Sequence, residues 1–440
     1  MADRTRRIAA PGPGNAPAPG ASAPDTPADS IEARLRHAGL PPLPRTAWLE
    51  VDLDTLARNV RVLRELLPTA ARLAVVVKAD GYGTGIEGAA RAAIRGGAEL
   101  LVVATLDEAQ RLRAAGQAGR VLVLYPVAET VLADAVALDL DLVAADEGSL
   151  AALESWLAAR GPADPLPRVH LAVDSGMGRG GFDPAAVPGA ARRLLGAGLP
   201  ALAGTWSHLA TPEDPAAVAG QVDAFERALA GLRAAGIDPG IRHLDATGGL
   251  LTGTGPAYDL VRVGLAAYGV HPPELSLDGA AARAAARLRP AVALRARAAT
   301  VSHLAAGASV GYGGTWTATR ASRIATLPIG YADGWARAYA GGSWGVVRGV
   351  RVPAVGRISS DALAVDVTEI PGFDGRDVVT LLDPAEPLAM TVHDLAVLRG
   401  SIAWEVLDAL SPRLSRVYLE EGRLAGTRYL DGMARFVTTR

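Results

Sequence analysis

The chain has 440 residues, half of them apolar, a formal net charge of −2 and no cysteine. That length accommodates two domains or a large barrel with an addition, and the near-neutral balance excludes the basic footprint of a nucleic-acid or membrane-surface binder. Disulfides and thiolate metal sites are excluded, and the composition fits a reducing cytoplasm.

In chain order, residues 1–45 come first. The stretch "APGPGNAPAPGASAPDTPADS" lacks the aromatic and branched residues a core requires, so a disordered arm is predicted. No apolar run follows the basic "DRTRR", which argues against a secretory signal. No window reaches the uninterrupted apolar length of a membrane span. "TAWLEVDL" follows, and residues 46–52 are a candidate strand of a later domain.

Eight short apolar runs then alternate with Ala/Leu/Arg-rich helical stretches. They are "LAVVVKA", "ELLVVAT", "RVLVLYP", "LDLVAAD", "RVHLAVD", "ALAGTWSHLA", "IRHLDAT" and "LVRVGLAAYGV". Continuous apolar strands between amphipathic helices imply a parallel sheet. Eight such units predict a (β/α)8 barrel over 46–285. An open doubly wound sheet is the alternative, but no Gly-rich dinucleotide fingerprint follows the first strand. From 286 to 440 the runs "AVALRARAATVSHL", "SRIATLPIGYADG", "WGVVRGVRVPAVGRI", "ALAVDVTEI" and "DVVTLLD" predict a mainly β domain. One helical stretch, "TVHDLAVLRGSIAWEVLDAL", follows them.

Lys78 is the sole lysine of the chain. Arginine serves wherever a cation is enough, but only an amine can lose its proton and join a carbonyl as a Schiff base. The bland alternative is chance survival on a surface. In a barrel, residues at the C-terminal strand ends share one mouth. Lys78 ends the first run, Arg179 follows the fifth and His208 ends the sixth. Thr247 follows the seventh, and Arg262 and Gly264 lie in the eighth. Barrels often place a phosphate site after strands seven and eight, where "DATGG" and "RVGLAAYG" supply a hydroxyl and small residues. Lysine, phosphate cradle and arginine together suggest pyridoxal 5'-phosphate. Taken singly each piece is weak: a histidine at a strand end is more often a satisfied core group than a catalyst.

From about Thr46 to the last helix, the order of "VVKADGYGTG", "VDSGMGRGG", "LVRVGLAAYGV", "VGYGGTW", "IGYADGW" and "VGRISSD" resembles the bacterial alanine racemases. The resemblance implies a homodimer with active sites shared between subunits, a small amino-acid substrate, and D-alanine supply to peptidoglycan; with the absence of cysteine, a cytoplasmic location is expected. It implies that Lys78 carries the cofactor and is one of two bases, with Tyr312 of the other subunit the opposing base. Tyr82, Thr247, Gly264 and the backbone of Leu265 then resemble the phosphate cradle. Arg262 resembles the partner of the pyridine nitrogen, and His208 the histidine at the ring. Arg179 resembles the arginine beside the cofactor phenolate and the substrate carboxylate, and Ser360 and Asp361 fall in the carboxylate-binding stretch.

Two bases suit the chemistry, since racemisation removes a proton from one face and returns it to the other. A tyrosine, with an ordinary pKa near ~10, needs positive charge nearby to act as a base. Four positions depart from the family's usual residues. Ala172 stands where a lysine, often carbamylated, usually supports the arginine. Ala246 replaces an amide side chain, Ser360 a methionine near the substrate carboxylate, and Trp404 a tyrosine that contacts the phosphate. The last two keep open a racemase of another small amino acid, such as serine, in specialised metabolism. A non-catalytic pyridoxal-phosphate barrel protein is disfavoured by the second domain and Tyr312. A lysine Schiff-base aldolase is disfavoured by a lysine on the first strand beside a phosphate cradle.

Overall fold

A computed structural model describes residues 30–432 and 434–437. Most of the predicted arm, 1–29, lies outside these residues. The rest of it departs from the expectation. Ser30 accepts a hydrogen bond from the Ala33 amide at 3.2 Å and caps a helix, Ile31–His37. Ile31 and Leu35, four apart on one helical face, bury against Leu40, Trp48, Val417 and Leu424. A single apolar stripe within Pro- and Ala-rich sequence is enough to dock this segment.

Strand β1 (Ala47–Asp52) follows. The eight apolar runs then form β2 (Arg72–Val76), β3 (Leu100–Val103), β4 (Val121–Val123) and β5 (Asp141–Ala144), then β6 (Arg168–Ala172), β7 (Gly204–Trp206), β8 (Ile241–His243) and β9 (Leu260–Val263). They pair in parallel in the order β8-β7-β6-β5-β4-β3-β2-β9. The ring closes between β8 and β9 through a bridge of Ala246 with Arg262, where the Arg262 amide donates to the Asp245 carbonyl at 3.2 Å. Their Val, Leu and Ala side chains are buried, because helices cover the outside and side chains fill the inside. This is a (β/α)8 barrel.

The second domain adds β10 (Val292–Arg297), β11 (Thr300–Leu304), β12 (Ser309–Val310), β13 (Trp316–Thr317), β14 (Ser322–Leu327) and β15 (Trp344–Val347). It continues with β16 (Val350–Val355), β17 (Leu363–Asp366), β18 (Val378–Leu382), β19 (Ser415–Glu420), β20 (Arg423–Arg428) and β21 (Ala434–Phe436). All but β12 and β13, which form their own hairpin, join an 11-stranded sheet. β1 lies inside that sheet, antiparallel to β10 and parallel to β19. The stretch read as one helix is two, Val392–Arg399 and Ala403–Asp408. Gly400 takes a left-handed conformation (φ 68°) and ends the first. Among the described residues, no helix is long and apolar enough to cross a membrane.

Candidate active site

Lys78 stands two residues beyond β2 and opens a tight turn, Lys78–Tyr82. The turn is left-handed: φ is 52° at Ala79, 57° at Asp80, 64° at Gly81 and 50° at Tyr82. Such φ values cost L-residues roughly 1–2 kcal/mol each, so the surroundings must hold the turn. Glu108 contributes, accepting from the Ala79 amide at 2.6 Å and the Ala104 amide at 2.8 Å. Lys78 is half-buried and has no hydrogen bond or ion pair among the described residues.

Tyr82 points back across the mouth. Its ring lies 4.8 Å from that of Tyr268, and burial raises its phenol pKa. A Cβ on Gly264 would sit 2.5 Å from the Tyr82 Oη, so only glycine admits that approach. The Gly264 amide donates to the Thr247 Oγ1 at 3.1 Å. Gly264, Leu265, Thr247 and Tyr82 therefore meet beyond β8 and β9.

Arg262, on β9, is 3% exposed inside the barrel. Its Nη1 donates to the His243 Nδ1 at 2.7 Å. Its Nη2 donates to the Ser207 carbonyl at 2.8 Å, the Leu244 carbonyl at 3.2 Å and the His208 Nδ1 at 3.2 Å. Its guanidinium lies 5.1 Å over the Trp206 ring. Nε has no partner among the described residues. Burial pushes the Arg262 pKa down to about 10, which leaves it a cation at neutral pH.

Behind Arg262 runs a buried chain that sequence reading missed. His243 Nε2 and His170 Nδ1 are 3.0 Å apart, and His170 Nε2 is 3.1 Å from the Asp141 Oδ2. Arginine only donates, so neutral His243 accepts at Nδ1 and donates from Nε2. His170 then accepts at Nδ1 and donates to Asp141. Burial lowers the pKa of both imidazoles, which keeps them neutral. Burial works against the Asp141 charge, but His170, Arg168 and Arg120 hold its pKa well below the carboxylate range. Gly204 leaves the space the His170 ring occupies, since a Cβ there would be 2.3 Å from its Nδ1. The available signal was three polar residues inside barrel strands: Asp141, His170 and His243.

His208 lies two residues past β7. Burial, then the nearby cations Arg262, Arg179 and Lys78, push it down to about 3, so it is neutral. Arg179 sits in the exposed loop after β6 and has no hydrogen bond or ion pair among the described residues. Ala172 is buried at the end of β6 opposite Trp206, an apolar side chain at the position where the resemblance expects a lysine. Asp245 was also missed. It is 1% exposed, accepts from the Ala246 amide at 2.7 Å, and burial raises it to about 7. Trp404 is half-buried in the helix Ala403–Asp408, which packs on the Lys78 turn.

The remaining predicted residues form a second cluster on the β domain. Tyr312 begins the turn between β12 and β13 and is 73% exposed. That hairpin rests on the Gly356–Arg357 segment: a Cβ on Gly356 would be 2.6 Å from the Val310 carbonyl oxygen. The Tyr331 and Ala332 amides donate to the Ser359 and Ser360 carbonyls at 3.0 and 3.1 Å. Asp361 pairs with Arg413 at 2.5 Å. The motifs "VGYGGTW", "IGYADGW" and "VGRISSD" thus converge on one face, but Tyr312 makes no hydrogen bond with any described residue.

Family models of the alanine racemase N-terminal and C-terminal domains match residues 51–272 and 291–418. The alanine racemase of Symbiobacterium thermophilum is 36% identical over 381 residues, covering 85% of this chain and 97% of the relative. That of Thermobifida fusca is 36% identical over 383 residues, covering 84% and 98%. Among solved structures, alanine racemase from Bacillus anthracis with bound L-Ala-P superimposes with a TM-score of 0.80 at 29% identity, covering 89% of this chain and all of that one. Alanine racemase from D-cycloserine-producing Streptomyces lavendulae gives 0.77 at 35% identity, covering 86% and 98%. The two-domain fold, the order of the motifs and these matches agree: the chain belongs to the alanine racemase family.

Proposed function

We propose that this chain interconverts L- and D-alanine as a pyridoxal 5'-phosphate-dependent racemase, working as a homodimer in the cytoplasm and supplying D-alanine for peptidoglycan. The observation that carries the proposal is a set of unengaged groups at one mouth. They are the Lys78 amine, the Arg262 Nε and the buried Tyr82 hydroxyl, with no carboxylate paired to either cation among the described residues.

The cofactor fits these groups. Tyr82, Thr247, Gly264 and the backbone of Leu265 would hold its phosphate, in a cradle that a Cβ on Gly264 would fill. Arg262 would donate from Nε to the pyridine nitrogen, His208 would lie at the ring as a neutral imidazole, and Trp404 would border the phosphate side. When bound, the cofactor supplies an electron sink that acidifies the substrate Cα–H.

The rest of the chemistry falls to the chain. Lys78 takes or returns a proton at Nζ on one face of the substrate. Tyr312 of a second subunit does the same at Oη on the other. Arg179 and the backbone amides of Ser360 and Asp361 would fix the substrate carboxylate, while the Asp361 side chain stays paired with Arg413. Arg262 stays protonated, so it would offer the pyridine nitrogen a hydrogen bond rather than a proton and would limit the electron sink. That favours prompt reprotonation at Cα over side reactions.

Borohydride treatment of the purified protein followed by peptide mapping tests this. The reduced pyridoxyl group is expected on Lys78. Lys78→Arg should carry none, because guanidinium is too poor a nucleophile at neutral pH. A label elsewhere, or full activity in Lys78→Arg, refutes the assignment.

A further inference from the structure

The left-handed turn that presents Lys78 is anchored from outside the barrel. Asp80 lies in the middle of it. Arg428, at the end of β20, donates from Nη1 to both Asp80 carboxylate oxygens at 2.6 and 2.7 Å. Asp80 Oδ1 also accepts from the Ile86 amide at 3.1 Å, which supplies the N-terminal cap that Gly85 cannot give to the helix Ile86–Arg95.

Arg416, on β19, reaches the same turn. Its Nη2 donates to the Gly83 carbonyl at 2.8 Å and stands 3.9 Å from the Asp80 Oδ2. Nη2 also donates to the Leu410 carbonyl at 2.8 Å, Nη1 to the Ser411 and Leu414 carbonyls at 2.5 and 2.7 Å, and Nε to the Gly83 carbonyl at 3.3 Å. Both arginines are buried, at 0% and 2% exposure.

The approach leaves no slack. A Cβ on Gly83 would lie 2.2 Å from the Leu407 carbonyl oxygen, and one on Gly85 would lie 2.1 Å from the Tyr418 Oη. Three non-glycine residues in this turn, Ala79, Asp80 and Tyr82, hold positive φ. Strained backbone of this kind persists only where the surroundings over-determine it. The turn's own hydrogen bonds, Gly81 to Val77 and Gly83 to Ala79 at 2.9 and 3.0 Å, are common to any short turn. The buried charges are not. Glu87 stands farther off, its Oε2 3.8 Å from the Arg428 Nη1, so Asp80 is the hydrogen-bonded counter-charge of Arg428, and removing one partner of a buried pair is costly.

We propose that Asp80, held by Arg428 and Arg416 of the β domain, is the positioning residue for Lys78, so that the second domain sets where the amine stands. This rests on the role given to Lys78 above. It adds that β19 and β20 act on the reaction from within the same chain, apart from anything Tyr312 does across subunits.

Hydrogen exchange of the purified protein, read on peptides spanning 77–86, tests the anchor without reference to turnover. In Asp80→Ala and in Arg428→Met, these amides should exchange at least about tenfold faster, while the β4–β6 amides keep wild-type rates. Asp80→Asn keeps an acceptor for Ile86 and should fall between. Arg295→Met is the control. It breaks pairs with Glu50 and Asp383 in the same sheet and should leave 77–86 unchanged. Alongside, kcat should drop by about tenfold or more in Asp80→Ala with KM within about twofold, as expected when a group is displaced without loss of substrate binding.

Wild-type exchange at 77–86 in folded Asp80→Ala overturns the proposal, and so does equal acceleration in Arg295→Met. If Arg428→Met does not fold, the Asp80 pair still decides. If borohydride fails to label Lys78 while 77–86 still loosens, the reading of function fails and the anchor stands.

Discussion

Around Arg262 every guanidinium nitrogen but Nε has a hydrogen-bond partner, whereas the Tyr312 side chain makes no hydrogen bond with any described residue. The barrel half is buried, its histidine tautomers follow from one arginine, and its glycines admit close packing. The β-domain half stands on glycine-built loops with an exposed phenol at the tip. The contrast teaches that folding alone preorganises the barrel half, whereas the β-domain half presents its phenol to solvent, where the proposed shared site would have a second subunit cover it. Fixed donors at the mouth carry no reorganisation when charge develops, while an exposed phenol stays solvated until another surface covers it.

The largest expected effect breaks the comparison outright. Lys78→Ala and Tyr312→Phe proteins should each be nearly inactive. After subunit exchange, a hybrid dimer has one site with both defects and one with neither, so random reassortment should restore about a quarter of wild-type activity. Verified exchange with no recovery means that the two halves do not meet across subunits.

A smaller effect sharpens the barrel side. Burial raises Asp245 to about 7, so above the unfolded value near ~3.9 the folded state binds more protons and stability falls as pH rises. The cost is absent below about pH 4 and complete above about pH 7. Asp245→Asn keeps an acceptor for the Ala246 amide. It should stabilise the protein at pH 8 by on the order of 2–4 kcal/mol and by clearly less at pH 5. Equal denaturation midpoint gains at both pH values would show that Asp245 is not protonated by burial.

The smallest effect concerns the substrate. Ser360→Met with Trp404→Tyr changes two β-domain positions, Ser360 in the Tyr312-side cluster and Trp404 in the helix that packs on the Lys78 turn, and returns both to the family's usual residues. The ratio of kcat/KM for alanine over serine should rise by about 1–3 kcal/mol. An unchanged ratio assigns both departures to structure alone.

The barrel was legible because its eight runs are apolar on both faces, a pattern that few other architectures require. Lys78 was legible because its chemistry is unlike arginine's in a chain that otherwise uses arginine. His170 and His243 were not, since a lone histidine in a strand reads as core until a neighbouring strand supplies its partner. Arg416 and Arg428 were hidden for a related reason: nothing in "LSRVYLEEGRLAGTR" says that the far end of the chain grips Asp80. The helix Ile31–His37 was hidden by its surroundings, where composition outweighed one apolar stripe.

β1 lies between β10 and β19 in the large sheet, so the barrel is an insertion into the β domain. During synthesis β1 leaves the ribosome well before either neighbour. With the intervening residues 53–291 made at about 5–20 per second, it waits on the order of 10–50 s for β10. The barrel can close in that interval, but the β domain cannot. A fragment starting at residue 286 would lack a central strand, and one ending at 285 would carry that strand unpaired, with its backbone donors and acceptors open to other chains. The two domains are therefore separable as folds but not as pieces of the gene.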